Sequence, residues 1–169
     1  RATHAPDPDT LLVGTLGRMT RAKGHHLLPE AVVRSGCRSL VAVLLGYGEE
    51  EARLQRLATR QRYRGRVVIP GAKESMENVP AWLGALDIFC FTSLRESLPV
   101  ALLEAMHCDN AIAACIAGDI PLVLEEGRVG LLFPPGDIDA MARCLQQLGR
   151  DPALRQALRA RAKARVAPY

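Results

Sequence analysis

Short runs of apolar residues recur along the chain, separated by longer amphipathic segments, and this alternation leaves few folds open. The runs lie at 11–16, 40–45, 66–69, 88–91, 111–114 and 130–133. Within them the apolar residues are continuous rather than alternating, as expected of parallel strands covered on both faces. The intervening segments carry helical spacing: Leu27, Leu28, Ala31 and Val32 in 24–35; Ala52, Leu54, Leu57 and Ala58 in 49–62; Ile138, Met141, Ala142, Leu145 and Leu148 in 137–148. Turn residues punctuate the units at Gly46-Tyr47-Gly48, Pro70-Gly71 and Pro134-Pro135-Gly136, the last leaving Asp137 as a helix N-cap. The pattern predicts an α/β fold, a doubly wound, parallel, six-stranded, Rossmann-like sheet. In such sheets ligands lie beyond the carboxyl ends of the strands, at helix N-termini.

A chain of 169 residues, 49% of them apolar, can bury one sizeable core. Residues 1–10 read as an extended lead-in, because Pro6 and Pro8 exclude a helix, and 11–169 as one domain. No run approaches the roughly 18 apolar residues of a membrane span. The five cysteines, Cys37, Cys90, Cys108, Cys115 and Cys144, have no C-x-x-C spacing. They read as buried, reduced thiols of a cytoplasmic protein, not as a disulfide framework or zinc site. A net charge of +4 gives no reason to invoke nucleic acid. The basic end of the chain (Arg150, Arg155, Arg159, Arg161, Lys163, Arg165) reads first as a solvated helix face. Contact with an anionic membrane surface is the second reading.

Two segments carry the chemistry. The first strand runs into Gly17-Arg18-Met19-Thr20-Arg21-Ala22-Lys23-Gly24, where Arg18 and Lys23 set two cations just past a strand end. An arginine grips a phosphate bidentately and a lysine acts as a mobile point charge, so a diphosphate is the natural candidate. The segment is neither G-x-G-x-x-G nor a Walker A sequence. The second segment is Glu96-Ser97-Leu98-Pro99-Val100-Ala101-Leu102-Leu103-Glu104. Ser97 and Pro99 suit the first turn of a helix, whose free amides make an anion cradle. Glu96 and Glu104 are carboxylates set in apolar surroundings, a costly placement unless a partner is waiting, and vicinal hydroxyls of a sugar are natural partners. Both cations and both acids are expected to converge on one groove along the carboxyl edge of the sheet.

Taken in order, the Arg18–Lys23 segment, the Gly46-Tyr47-Gly48-Glu49 turn, the stretch from Glu96 to Met106, Asp119-Ile120-Pro121 and Gly127 to Asp137 resemble the donor-binding half of retaining GT-B glycosyltransferases of the family 4 type. The resemblance runs from Leu11 almost to the end. It implies that Gly17, Arg18 and Lys23 hold a nucleotide diphosphate and that Glu104 accepts from ribose hydroxyls. Glu96 would contact donor-sugar hydroxyls, while backbone amides of Ser97, Leu98 and Val100 bind sugar or diphosphate. Ala72 and Lys73 would lie along the base. Glu96, Arg18 and Lys23 are thus the residues expected to act on the reacting bond. No cofactor and no metal are implied, the cations and a helix dipole taking the metal's place.

The implied partner is a nucleotide-sugar, UDP-linked by preference. A saccharide or lipid-linked acceptor would bind through a second domain that this stretch lacks, and the chain alone would not transfer. The setting would be the cytoplasm, peripheral to the membrane's inner face. A sugar epimerase, a phosphorylase or a non-catalytic interaction module on the same scaffold are the alternatives. The sequence departs from the family where glycine is usual, at Asp109 and Asp119, and at Leu122, where a glutamate usually follows the proline. Asp119 is left as a reader of a donor hydroxyl. His25 and His26, adjacent and therefore pointing apart, read as surface histidines at a helix start. Trp82 reads as core.

Overall fold

The computed structural model describes residues 9–96 and 99–167. The lead-in up to Pro8, and the parts expected of the Ser97 and Leu98 amides, lie outside them. Six strands form one parallel sheet: β1 (Leu11–Leu16), β2 (Leu40–Leu45), β3 (Val67–Val68), β4 (Ile88–Phe91), β5 (Ala111–Cys115) and β6 (Leu131–Phe133). Their order is β3-β2-β1-β4-β5-β6, the doubly wound arrangement predicted from the alternation. The chain order reverses between β1 and β4, which opens a crevice at their carboxyl ends.

The helices are α1 (Leu27–Arg34), α2 (Glu51–Ala58), α3 (Ala72–Glu77), α4 (Val79–Ala85), α5 (Val100–His107), α6 (Ile120–Val123), α7 (Ile138–Arg150) and α8 (Pro152–Val166). They cover both faces of the sheet, α1 packing on α7 and α5 on α8. Every residue of β2, β4 and β5 is buried, which explains their continuous apolar runs. The strongly amphipathic α7 buries Met141, Leu145 and Leu148 completely, each burial contributing roughly 1.5–3 kcal/mol. Asp137 caps it as expected, its carboxylate accepting from the Ala140 amide at 2.8 Å. Trp82 packs half-buried against the core, its indole N–H donating to Glu74 O at 3.0 Å.

Several boundaries differ from expectation for physical reasons. The edge strand predicted over 66–69 shortens to two residues. Arg66 instead turns its guanidinium inward, to the carbonyls of Leu40, Val32 and Cys37. The helix predicted over 49–62 stops at Ala58, after which the Thr59 hydroxyl takes the Arg56 carbonyl and a separate turn follows at Gln61–Tyr63. Helix α5 begins at Val100, one residue after Pro99, so Pro99 is its cap and not part of its first turn.

The end of α5 explains one departure from the family pattern. Asn110 N donates to Ala105 O and Asp109 N to Met106 O, the paired bonds of a Schellman motif, and Asp109 sits at φ 62°. Glycine is usual there because that left-handed position burdens any side chain. Replacing Asp109→Gly is expected to raise stability by about 0.5–1 kcal/mol in a denaturant melt.

Candidate functional site

Backbone contacts between loops build the site. At the end of β1, Gly17 N donates to Leu45 O at 3.1 Å and Met19 N to Tyr47 O at 2.7 Å, so the loops after β1 and β2 are laced together. Lys23 ends a short 3-10 turn closed by Gly24 at φ 68°. A Cβ at Gly24 would stand 2.2 Å from Thr92 O, so only glycine lets this turn lie flat against the end of β4. The Thr92 hydroxyl then donates to Lys23 O at 2.8 Å, and Leu94 N to Ala22 O at 2.8 Å. On the other side, Gly118 at φ 53° presses on the same loop; a Cβ there would meet Glu96 O at 2.4 Å. Cys115 Sγ lies 2.6 Å from Ser93 O, and burial raises its pKa to about 11, keeping it a protonated donor.

These contacts bring Lys23 and Glu96, 73 positions apart, to 2.7 Å between Nζ and Oε2. Glu96 is 9% exposed and Lys23 33%. Beside them opens a cleft of about 350 Å³ at the carboxyl edge of the sheet. Leu16, Gly17 and Arg18 form its floor, Tyr47, Met76 and Val79 one wall, and Val100, Ala101 and Glu104 the other. Arg18 and Glu104 are both exposed and make no ion pair among the described residues. The amides of Val100 and Ala101 precede the first bond of α5, which Leu102 N donates to Pro99 O. An amide cradle thus adjoins the cation, an arrangement suited to an anionic ligand that also carries hydroxyls.

The four charged residues do not all line one groove. Arg18 and Glu104 face the open cleft, while Lys23 and Glu96 hold each other beside it. Glu104, expected inside apolar surroundings, is exposed, because α5 turns that face outward to the cleft. Ala72 and Lys73 open α3 but do not line the cleft; Lys73 is 88% exposed, 4.0 Å from Glu77. That helix lends Met76 to the wall instead. Asp119 precedes α6 at φ −85°, where no glycine is needed, and Leu122 lies exposed on the surface. The sequence reading missed Gly118 and the wall formed by Tyr47 and Met76. A glycine beside Asp119, and a tyrosine between two glycines, were the available signals.

His25 is a correction. Expected on the surface, it is 2% exposed, because the close approach of Gly24 to β4 carries it under the Gly17 loop. Its Nε2 donates to Leu45 O at 3.2 Å, since a carbonyl can only accept, and its Nδ1 has no hydrogen-bond partner among the described residues. Burial, opposed in part by that bond, pushes its pKa down to about 4. His26 stays partly exposed.

Residues 1–165 match the family described as Glycosyl transferases group 1. The lipopolysaccharide core biosynthesis glycosyltransferase LpsE of Rhizobium meliloti is 31% identical over 158 residues, 94% of this chain and 45% of that protein. The C-terminal domain of the group 1 glycosyl transferase LpcC of Francisella tularensis superposes with a TM-score of 0.85 at 23% identity, covering 99% of this chain and 91% of that one. Anabaena Alr3699/HepE, solved in complex with UDP-glucose, superposes at 0.83 with 26% identity, over 94% of this chain and 44% of that one. The chain spans 45% of LpsE and 38% of the amylovoran biosynthesis glycosyltransferase AmsK of Erwinia amylovora, less than half of each.

The buried imidazole sets a pH dependence. Its folded pKa of about 4 lies below the unfolded value of about 6.5, so the unfolded chain binds the proton more readily. Stability is therefore full above pH 6.5 and is lost as pH falls toward 4, by about 3 kcal/mol for this group. Thermal melts from pH 7.5 to 4 are expected to show that loss, and His25→Gln to flatten it.

Proposed function

The chain belongs to the glycosyl transferases group 1 family, and from that premise we propose that its cleft binds the nucleotide-sugar donor of a retaining sugar transfer. One observation carries the reading. Arg18 and Glu104, a cation and a carboxylate with no ion pair among the described residues, face the same open cleft at the crossover of a doubly wound sheet. A nucleoside diphosphate offers each what it lacks, phosphate oxygens to Arg18 and ribose hydroxyls to Glu104. The exposed apolar wall of Tyr47 and Met76 suits the flat base, with the Ala72–Lys73 turn beyond it.

In this reading Arg18 and the Val100 amide grip the diphosphate. Lys23 leaves Glu96 for the phosphates as negative charge builds on the leaving group, stabilising it electrostatically. Glu96, released, accepts from the donor-sugar hydroxyls, so neither charge is left bare. These cations and the α5 dipole do the work a divalent metal would do elsewhere, and the reaction is metal-independent. UDP is the favoured nucleotide, supported by the UDP-glucose complex of the HepE relative. The acceptor, a saccharide or lipid-linked saccharide, is held by groups outside these residues, and the chain alone binds donor without transferring it. The five free cysteines support a cytoplasmic setting. No helix among the described residues is long and apolar enough to cross a membrane.

Isothermal titration with UDP, GDP and ADP tests the reading. UDP is expected to bind one site, and Arg18→Ala or Lys23→Ala to weaken it about tenfold or more, as the loss of a charge-assisted bond demands. Glu104→Gln is expected to weaken UDP while sparing inorganic pyrophosphate, which has no ribose. Adding EDTA is expected to leave the UDP isotherm unchanged. Absence of heat with all three nucleotides at millimolar concentration overturns the proposal.

A further inference from the structure

A larger concavity, about 570 Å³, lies at the opposite end of the molecule from the donor cleft. Its walls are Glu125, Arg128 and Val129, just ahead of β6, and Arg161, Ala164 and Arg165 on α8. Those residues flank the amino end of β6, and α8 reaches them past the amino end of β4, where Arg159 Nη2 donates to Asp87 O at 2.9 Å. We propose that this concavity is a second anion site, taking a phosphate-class ligand at the amino edge of the sheet.

Charge balance is the first argument. Among the described residues, three arginines and one glutamate line the concavity. Elsewhere on α8 the arginines are spent on structure: Arg155 reaches Leu148 O, and Arg159 reaches both the carbonyl and carboxylate of Asp87. In the concavity fewer bonds hold them. Arg161 gives one bond, Nη1 to Arg128 O at 3.2 Å. Arg165 Nε stands 3.4 Å from Glu125 Oε1 and, although buried, makes no hydrogen bond among the described residues. Arg161 and Arg165 are four apart and so share one face of α8, with Arg128 approaching from a different element. Planar guanidinium forks match the oxygens of a phosphate.

The wall itself is strained. Glu125 and Glu126 stand at φ 48° and 53°, two consecutive non-glycine residues in the left-handed region. Such strain persists where surrounding structure demands it, and it clusters at ligand clamps. Here it holds the single carboxylate on the rim, loosely engaged with Arg165 and displaceable by a stronger anion.

The test uses the chain with Arg18→Ala and Lys23→Ala, which silences the donor cleft, and inorganic pyrophosphate as probe in a calorimetric titration. One-site binding is expected, weakened about tenfold or more by Arg161→Gln, by Arg165→Gln and by Arg128→Gln. The last substitution lies on a separate element and guards against a local failure of α8, with thermal melts reporting folding. In a second arm, vesicles of phosphatidylglycerol and phosphatidylcholine are compared with phosphatidylcholine alone. Arginine-dependent capture of the anionic vesicles, with or without pyrophosphate binding, identifies a lipid phosphate as the source; pyrophosphate binding alone identifies a free phosphate compound. Binding of neither probe, or binding indifferent to all three arginines, overturns the proposal.

Discussion

The site depends on backbones packed closer than any side chain would permit. Gly24 lies against the Thr92 carbonyl and Gly118 against the Glu96 carbonyl, so the loops after β1, β4 and β5 become one body. A methyl group at either glycine would intrude within 2.4 Å of a carbonyl oxygen, and the loops would have to part. Because they do not part, a lysine and a glutamate 73 positions apart meet at hydrogen-bond distance before any ligand arrives. Loops locked together in this way hold charges in place better than loops free to wander.

Charge at the carboxyl edge is then divided by depth. Nearer the protein, Lys23 and Glu96 neutralise each other, and Glu96 is too buried to be left alone at small cost. Toward solvent, Arg18 and Glu104 stay apart across the cleft. Beneath both, His25 is held neutral by burial, so it adds no third cation to the edge at ordinary pH. The Cys115 thiol, kept protonated, gives a hydrogen bond to the Ser93 carbonyl and not a charge. In the reading proposed above, a phosphate would meet the exposed cation first and recruit the inner one by exchange, with sugar hydroxyls taking the carboxylate it releases.

Much of the fold was legible in the residues alone. Continuous apolar runs gave β1, β2 and β4 with their observed bounds, because a strand covered on both faces has no polar side to blur its ends. The edges were less legible. At Arg66 the side chain turned inward for carbonyls that no local pattern reveals, and at Pro99 the helix began one residue later than its residue types implied. Arg18 and Glu104, which both line the cleft, stood out in the sequence because charged residues in apolar or glycine-rich stretches do so. His25 was misplaced because adjacency on a helix says which way side chains diverge, not what will cover them.

By itself, then, the order of residues determined the layered sheet and the few charged positions near its carboxyl edge, since both follow from short-range periodicity and from the cost of placing charge among apolar neighbours. Only the tertiary structure decided how those charges are shared: Lys23 with Glu96, Arg18 across from Glu104, His25 under a loop, and three arginines gathered at the far end. Pairing across 70 or more positions depends on how the loops stack, and that stacking is set by glycine contacts whose partners no local pattern names.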